Sequence, residues 1–301
     1  MNIEERVKMK KKVLTVLLTA VMAISMTACG GDKEKAEGGS ADKESAKGVK
    51  TIEIDLTNEE YAFGVDKTQP ELLEQVNAFI AKIKEDGTLD EICEKFFANG
   101  EPTAVKSAKL DTSKDQLVVA TNAAFEPFEY TKGEDYYGID MELAALLAEE
   151  LDQELVIQNM DFDAVCLSVG QQKCDIAMAG LTVNEERQEY VTFTDTYYQA
   201  SQRVIVPASD TSFDECKDAA AVEEVLNKLS ESDKIGVQAG TTAQYYIEGD
   251  EEWGFPGLPA ECVPYKNGSL AVQDLINGNI KYVIIDAAPA KCITEAINEM
   301  Q

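Results

Sequence analysis

Short apolar runs alternate with longer amphipathic stretches from residue 117 to the end of the chain, and this alternation limits the folds open to it. The runs that predict strands are 117–121, 154–158, 174–179, 235–238, 261–265 and 282–285. The stretches that predict helices are 138–151, 162–169, 214–229, 269–276 and 289–300, with a further helix opened by a Gly-Thr-Thr turn at 240–242. Such alternation is typical of a parallel sheet covered by helices. The sequence therefore predicts an α/β protein with two lobes joined by short extended crossings.

The preceding segment has a different order of elements. Residues 49–56 alternate like a half-buried strand, and 59–65 form a second short extended piece. Pro70 begins an amphipathic helix that Gly87 ends, and 88–97 predicts another short helix. Residues 99–116 contain glycine and proline without a sustained period, so they are interpreted as a linker.

The stretch from Cys174 to Arg187 combines the parts of a small-anion site. An apolar run ends at Gly180, where the backbone can approach a ligand closely. Thr182 offers a hydroxyl and an amide, and Asn184 begins a helical turn. Arg187 supplies a planar guanidinium suited to a carboxylate. The alternative interpretation is a surface loop in which the arginine pairs with a neighbouring glutamate.

Composition excludes several functions. The formal charge of −29 argues against nucleic acid as a partner, since nucleic-acid binding needs basic patches. The chain has no histidine, which rules out histidine-based catalysis and histidine metal sites. Neither a CxxC pair nor an oxygen-rich calcium loop is present, so no metal or cofactor is expected. The acidic pairs are interpreted as solvated faces: Glu59–Glu60, Glu185–Glu186, Glu223–Glu224 and 250–252.

The N-terminus predicts export. A basic region up to Lys12 precedes an apolar run at 13–26, and Met26-Thr27-Ala28-Cys29 is similar to a lipobox. Residues 1–28 are therefore predicted to be a signal peptide, and 29–50 a flexible tether lipidated at Cys29. This places the protein outside the cytoplasm, on the outer face of the cell membrane. The alternative is an ordinary signal peptide with a fortuitous cysteine. The other six cysteines are interpreted as buried free thiols, although Cys166 and Cys174 are close enough in sequence to pair.

Several blocks together resemble the family 3 extracellular solute-binding proteins, the amino-acid receptors of ABC importers. The resemblance covers nearly everything from about residue 52 to residue 300. The blocks that carry it are ATNAAFEPFEY, YYGIDMELAALLAEEL, CDIAMAGLTVNEERQEYVTFTDTYY, IGVQAGTTAQYY and YVIIDAAPA. It implies a two-lobed periplasmic-binding-protein-like fold of type II.

One block is out of the family's order. Residues 52–97 resemble the family's C-terminal end, yet here they precede the N-terminal block. The resemblance therefore implies a circular permutation in which 99–116 joins the usual ends. The expected divisions are a strand segment at 51–60 that completes lobe 2, a hinge at 61–65, lobe 1 at 66–201, a hinge at 202–206 and lobe 2 at 207–301. The alternative is a duplicated C-terminal piece fused ahead of a truncated receptor.

The resemblance also implies a ligand-binding site for a free amino acid. It assigns the ligand carboxylate to Arg187, with the amides of Thr182 and Thr242. The ammonium is assigned to Asp286, with the Gly180 carbonyl and the Thr182 hydroxyl. The alternative role for Asp286 is an N-cap of the following helix.

The ligand's side chain has its own expected contacts. Phe125 and Phe162 match positions that enclose its stem, while Asn122, Gln238 and Tyr198 are expected near its distal group. Asn122 and Gln238 are neutral, which favours an uncharged polar ligand such as glutamine. Phe128 and Phe193 are interpreted as core residues.

The predicted function is the substrate-binding component of an amino-acid ABC importer. It captures a polar L-amino acid by hinge closure of two lobes and delivers it to a membrane permease, acting as a monomer. The alternatives are an enzyme on the same fold, such as a protein resembling cyclohexadienyl dehydratase, and a ligand-sensing receptor domain. The enzyme would need a general acid in the cleft, and no histidine is available to supply one.

Overall fold

A computed structural model describes residues 48–98 and 100–300. The predicted signal peptide, Cys29 and the tether as far as residue 47 lie outside these residues. Within them, no helix is long and apolar enough to cross a membrane.

Strands and helices alternate along the chain, and both are numbered in chain order. The elements that precede the return to the second lobe are β1 (Val49–Thr51), β2 (Glu59–Tyr61), β3 (Gly64–Asp66), α1 (Pro70–Glu85), α2 (Thr88–Phe97), β4 (Gln116–Thr121), β5 (Ala124–Phe125), β6 (Glu129–Lys132), β7 (Asp135–Tyr137), α3 (Ile139–Glu150), β8 (Glu154–Asn159), α4 (Val165–Gly170), β9 (Ile176–Ala177), α5 (Glu185–Gln188), β10 (Val191–Phe193) and β11 (Tyr198–Ala200). The remainder are β12 (Gln202–Pro207), α6 (Ala219–Leu226), β13 (Lys234–Gln238), α7 (Thr242–Glu248), β14 (Glu261–Tyr265), α8 (Gly268–Ile276), β15 (Tyr282–Asp286) and α9 (Ala287–Glu299).

Helix α1 shows why the periodic segments form as predicted. Pro70 occupies its first turn, where a missing N–H has no cost, and one face buries Val76, Phe79, Ile80 and Ile83. Apolar spacing and a start signal agree, so the predicted helix is confirmed.

Two five-stranded sheets form the centres of the two lobes. The lobe 1 sheet has the order β10-β3-β9-β4-β8, and the lobe 2 sheet has the order β1-β12-β15-β13-β14. Strands β4, β8 and β9 run parallel, as do β13, β14 and β15. Strand β3 is antiparallel to β9, and β12 is antiparallel to β15. The sheets are therefore mixed rather than parallel throughout, because the strands that enter each lobe from the other one arrive in the opposite direction.

The two lobes are connected by a pair of strands of their own. Strand β2 pairs with β11 in an antiparallel two-stranded sheet, with Tyr61 opposite Tyr198. The predicted hinge at 61–65 overlaps this pair at Tyr61 and runs into β3 of the lobe 1 sheet, whereas the one at 202–206 coincides with β12 of the lobe 2 sheet. Strand β12 is a short apolar run that is buried on both faces of the sheet. A short extended crossing has the same apolar pattern, so the sequence alone does not distinguish the two.

One helix, two strands and one small sheet also differ from expectation. Helix α6 begins at Ala219 rather than 214, since the Asp218 side chain accepts a hydrogen bond from the Ala221 N–H and caps it there. The predicted strands 49–56 and 174–179 shorten to Val49–Thr51 and Ile176–Ala177. Strands β5, β6 and β7 form an antiparallel sheet that was not predicted.

Candidate ligand-binding site

Four of the candidate residues lie at or just beyond the carboxyl ends of parallel strands. Asn122 follows β4, Gly180 lies shortly after β9, Gln238 ends β13 and Asp286 ends β15. Ligands of α/β folds bind in the crevice outside these strand ends. The two sheets thus bring candidate residues from both lobes toward the cleft between them.

Arg187 occupies a buried corner of this cleft. The Asn184 side chain caps the short helix α5 by accepting a hydrogen bond from the Arg187 N–H, which fixes the backbone there. The guanidinium donates through Nη1 to the Thr182 carbonyl at 2.6 Å and through Nη2 to the Gly240 carbonyl at 3.0 Å. It lies over the Phe162 ring, 5.2 Å from the ring centre. Its partners are carbonyls rather than a glutamate, and the two bonds use two of its five N–H groups.

Gly180 lies where a side chain would not fit. Its φ of +53° is unfavourable for other residues. A Cβ there would lie 3.0 Å from Phe125 and 3.3 Å from the Tyr61 ring. Its N–H donates to the Asp140 carboxyl at 2.9 Å. The predicted close approach of backbone at this position is therefore accompanied by two aromatic rings and a buried acid.

Asn122 and Gln238 meet across the cleft. The Gln238 amide donates to Asn122 Oδ1 at 3.1 Å, and Asn122 donates to the Met160 carbonyl at 2.6 Å. Gln238 Oε1 and Thr121 Oγ1 are buried without a hydrogen-bond partner in the part of the chain that the structure describes. Asn122 and Gln238 thus form a neutral polar pair in which the acceptor Oε1 of Gln238 is unused.

Asp286 stands at the N-cap position of α9 but does not cap it. Its carboxyl instead accepts a hydrogen bond of 2.5 Å from the Tyr61 hydroxyl. Burial, together with nearby Glu59, raises the pKa of Asp286 to about 7. The carboxyl is thus held close to its midpoint at neutral pH.

Glu59 is not part of a solvated face, contrary to the sequence interpretation. It is 1% exposed and accepts hydrogen bonds from Thr57 Oγ1 at 2.6 Å, Thr182 Oγ1 at 2.8 Å and Gln202 Nε2 at 2.9 Å. Glu59 and Tyr61 share one face of β2, because side chains two apart on a strand point the same way. Their alternation with exposed Glu60 was the available signal, but nothing in the sequence showed which strand β2 would pair with.

Two further buried acids are Asp140, which bonds to the Gly180 N–H, and Glu129, which lies near Asp140. Asp140 accepts a hydrogen bond of 2.6 Å from the Tyr197 hydroxyl, and burial raises the pKa of Asp140 to about 7. Both carboxyl oxygens of Glu129 are buried without a partner among the residues described here. Burial, with Asp140 and Asp286 nearby, raises the pKa of Glu129 well above its usual range. Nothing in the sequence marks Asp140 as buried, because an acid in the first turn of a helix is common.

The candidate residues fall into separate groups. Arg187, Thr182 and Phe162 lie together, and Arg187 and Phe162 line a cavity of about 80 Å³ with Gly240 and Tyr245. Asp286 lines a different cavity of about 180 Å³ beside Tyr61 and Phe128.

Of the other expected contacts, Thr242 and Phe125 line neither cavity, whereas Tyr198 lines the cavity of Asp286. Thr242 is buried at the first position of α7, two residues after Gly240. Tyr198, expected near the ligand's distal group, lies in the crossing strand β11 against Phe128, which is a core residue as expected. Phe125 packs beside Gly180 and Phe128. Their assignment to particular ligand groups stays a prediction.

Residues at the rim of the cleft also join the lobes. The Tyr245 hydroxyl donates to Glu186 at 2.6 Å, and the Glu185 N–H donates to Glu252 at 2.7 Å. Lys266 pairs with Asp161 at 3.2 Å on the exposed surface. Together with the bonds of Arg187 and Gln238, these contacts hold the cleft in a closed arrangement.

The family model of the bacterial extracellular solute-binding proteins, family 3, matches residues 6–99 and 117–286. The chain belongs to this family. The predicted family and its two-lobed α/β fold are thereby confirmed.

Curated relatives of this family 3 protein include amino-acid-binding proteins. It is 34% identical over 108 residues to the arginine-binding extracellular protein ArtP of Bacillus subtilis, covering 36% of this chain and 42% of that protein. It is 31% identical over 179 residues to the putative ABC transporter arginine-binding protein 2 of Escherichia coli, covering 59% and 65%. It is 28% identical over 173 residues to the histidine-binding periplasmic protein of Escherichia coli, covering 57% and 61%. Each match spans less than two thirds of the relative's own length.

Solved structures show the same fold. An ancestral arginine-binding protein bound to glutamine matches with a TM-score of 0.51 and 28% identity, covering 62% of this chain and 76% of that one. The ancestral amino-acid-binding protein AncCDT-1, described as a precursor of cyclohexadienyl dehydratase, matches with a TM-score of 0.51 and 26% identity. That match covers 70% of this chain and 78% of that one.

Proposed function

We propose that this family 3 protein is the amino-acid-binding component of an ABC importer. The observation that carries the proposal is that the two lobes supply opposite chemistries, each beside its own cavity. Arg187 is a buried guanidinium with N–H groups to spare, while Asp286 is a buried carboxyl at the opposite lobe's strand end. A free amino acid carries the complementary carboxylate and ammonium, each of which needs a partner once it leaves water.

Hinge closure follows from where these residues lie. Arg187 and Thr182 belong to lobe 1, while Gly240, Thr242 and Asp286 belong to lobe 2. A ligand held by both groups stabilises the closed arrangement in proportion to its preference for that state. The crossing strands β2 and β11 allow the rotation, since they are the paired connection between the sheets.

The ligand's side chain is proposed to be polar and uncharged, such as that of glutamine. Asn122 and Gln238 meet across the cleft, and Gln238 Oε1 has hydrogen-bonding capacity left over. Neutral amide groups can pair with another amide without the desolvation cost of a buried charge. Two curated relatives are named for arginine and one for histidine, whereas the ancestral neighbour is described as bound to glutamine. Cationic ligands are therefore the direct competitors in the test.

Calorimetry with the twenty amino acids tests the function. The protein is first unfolded and refolded to remove any co-purified ligand. We expect saturable binding of L-glutamine, tighter than that of L-arginine or L-histidine, and no binding of its desamino analogue at the same concentration. Tighter binding of L-arginine would overturn the side-chain assignment alone, and no binding of any amino acid at millimolar concentration would overturn the function.

An enzymatic role on the same fold is the second candidate. AncCDT-1 is described as the precursor of an enzyme, and the buried acids Asp140, Glu129 and Asp286 have raised pKa values, as general acids do. AncCDT-1 is itself described as an amino-acid-binding protein, and binding without turnover is the role proposed here. Mass spectrometry of the bound amino acid after prolonged incubation distinguishes the two, because a substrate would be consumed.

The proposal includes a location and a partner. The protein would be exported, attached to the outer face of the membrane through a lipid on Cys29, and would pass its ligand to a permease as a monomer. The lipobox-like sequence before Cys29 supports the attachment. A tryptic peptide beginning at Cys29 without a lipid modification would contradict it.

The circular permutation remains part of the proposal. Family matching falls into two blocks on either side of 100–116, the segment expected to join the usual ends. The Val49 backbone exchanges two hydrogen bonds with the Asn298 side chain, at 3.1 and 2.9 Å. Both ends of the described fold therefore lie side by side in lobe 2, which is where a permutation would have opened the chain.

Restoring the usual order of the family tests the permutation. In the rearranged chain, residue 300 is linked to residue 48 by a short glycine-serine linker, and the chain begins at Gly100 and ends at Ala98, so that 100–115 keeps its hydrogen bonds to β8. We expect a melting temperature within a few degrees of the original and unchanged amino-acid affinity, because the contacts of both sheets are kept. Failure to fold, in a chain whose linker length is varied as a control, would contradict a permuted arrangement.

A further inference from the structure

Glu59 reaches the candidate site from the hinge. It lies on β2, the strand that crosses between the lobes, and its carboxyl is buried. One oxygen accepts the hydroxyl of Thr182 from lobe 1, while the other accepts the Gln202 amide from lobe 2. The hinge strand is thus bonded directly to a residue expected to contact the ligand.

The hydrogen bond to Glu59 determines whether the Thr182 hydroxyl can donate to a ligand or accept from it. A threonine hydroxyl has one proton to donate and two lone pairs that accept. The Thr182 hydroxyl donates its proton to the Glu59 carboxyl, with 2.8 Å between the two oxygens. Only its lone pairs, which accept hydrogen bonds, remain for a ligand. An ammonium, which donates three protons and accepts none, matches these lone pairs, whereas a carboxylate does not.

Glu59 also adds charge near Asp286. Burial is the larger cause of the raised pKa of Asp286, and the charge of Glu59 raises it further, so the two carboxyls interact. Within 48–98 and 100–300, no ion pair includes either Glu59 or Asp286. Two interacting buried carboxyls without a cation of the protein beside them favour a ligand that brings one.

We propose that Glu59 is a positioning residue of the ammonium subsite, which holds the Thr182 hydroxyl as an acceptor and adds negative potential beside Asp286. The inference rests on the proposed function and deepens it, since neither the family resemblance nor the strand-end geometry assigns Glu59 a role. It restricts ligands to molecules with a cationic group next to the carboxylate.

Replacing Glu59 by glutamine inverts this arrangement. The glutamine amide keeps one acceptor for Thr57 and Gln202, but its NH₂ group would face Thr182 and donate to that hydroxyl. The Thr182 hydroxyl then points its proton away from residue 59 and toward the ligand. An ammonium, which also donates, cannot bind to that proton. The change in volume is small, so packing around β2 is preserved.

Affinities for matched ligands test the role. The probes are L-glutamine, L-arginine and L-histidine, each with its desamino analogue, which keeps the carboxylate and side chain but lacks the ammonium. For the amino acid that the wild type binds most tightly, we expect Glu59→Gln to weaken binding at least tenfold, while binding of the desamino analogue at higher concentration changes less than twofold. Glu60→Gln is the matched control, because Glu60 is the exposed neighbour on the other face of β2 and should leave both affinities unchanged.

A double-mutant cycle with Thr182→Val tests whether Glu59 affects ligand binding through the Thr182 hydroxyl. If Glu59 acts through the hydroxyl, Glu59→Gln should weaken binding by a much smaller factor in the Thr182→Val background than in the wild type. Should Glu59→Gln fail to fold, Glu59→Asp replaces it, since the shorter side chain keeps the charge but draws away from Thr182, and the same selective loss is expected.

The outcomes separate the inference from the function. Equal losses for the amino acid and its desamino analogue would show a purely structural role and overturn the inference, as would unchanged affinity for both. A wild-type protein that binds none of the amino acids overturns the proposed function itself, whatever the variants do.

Discussion

The Arg187→Ala variant is expected to lose amino-acid binding almost completely. Truncating one partner of a buried, hydrogen-bonded charge pair costs about 2–5 kcal/mol, or about thirtyfold to several thousandfold in affinity. The guanidinium is buried and lies over the Phe162 ring, so solvent cannot replace it. Calorimetry with the tightest-binding amino acid measures the loss.

Arg187 also has a structural role that its sequence context did not indicate. It bonds to the Thr182 and Gly240 carbonyls, so its removal weakens the closed arrangement as well as the site. Each bond contributes about 1 kcal/mol net, and we expect the ligand-free melting temperature to fall by only a few degrees.

Arg187→Lys separates the charge of Arg187 from its geometry. It keeps the charge but not the planar fork, and it should recover only part of the affinity. Unchanged affinity in Arg187→Ala, with a normal melting curve, would refute the carboxylate role.

Local signals in the sequence were sufficient for most of the regular elements. Helix α1 and strand β14 lie where periodicity placed them, because apolar spacing and end signals agree there. Helix α6 begins five residues late, since an aspartate capped it at a position that periodicity alone does not mark. Errors of this kind concern boundaries and leave the architecture intact.

Which strands pair with one another could not be predicted from the sequence. Strand β12 and the crossing strand β11 follow one another with similar extended patterns, yet one is central in the lobe 2 sheet and the other connects the lobes. The difference lies in which distant strand each one meets, and residue composition does not encode that directly. The second predicted hinge, at 202–206, therefore coincides with β12 of the lobe 2 sheet and not with β11.

The buried acids were missed for the same reason. Glu59 lies in an acidic pair that reads as a solvated face, and only the pairing of β2 with β11 turns it toward Thr182 and Gln202. Arg187, Thr182 and Asp286 could be proposed as site residues from the sequence because each stands beside a glycine, a helix start or a strand end. Residues that act from the hinge carry no such local mark.

Amino-acid binding is expected to weaken as the pH falls below 7, and Asp286→Asn is expected to remove this dependence. In the ligand-free protein the pKa of Asp286 is about 7, because burial and nearby Glu59 disfavour its charge. A ligand ammonium needs the ionised carboxylate, so at lower pH binding must expel a proton. If only the ionised fraction binds, the affinity at pH 6 should be about tenfold lower than at pH 8.

Calorimetry in phosphate and in Tris buffers counts the released proton, because the two buffers take it up with different heats. Asp286→Asn should release none and should bind at least about a hundredfold more weakly at pH 8, since a buried charge pair loses about 3 kcal/mol or more when one partner is removed. Asp214→Asn, which alters an exposed partner of Lys50 in lobe 2, is the control and should behave as wild type. If Asp286→Asn still released a proton, the source would be another buried acid such as Glu129 or Asp140, and the ammonium would have to be reassigned to that part of the site.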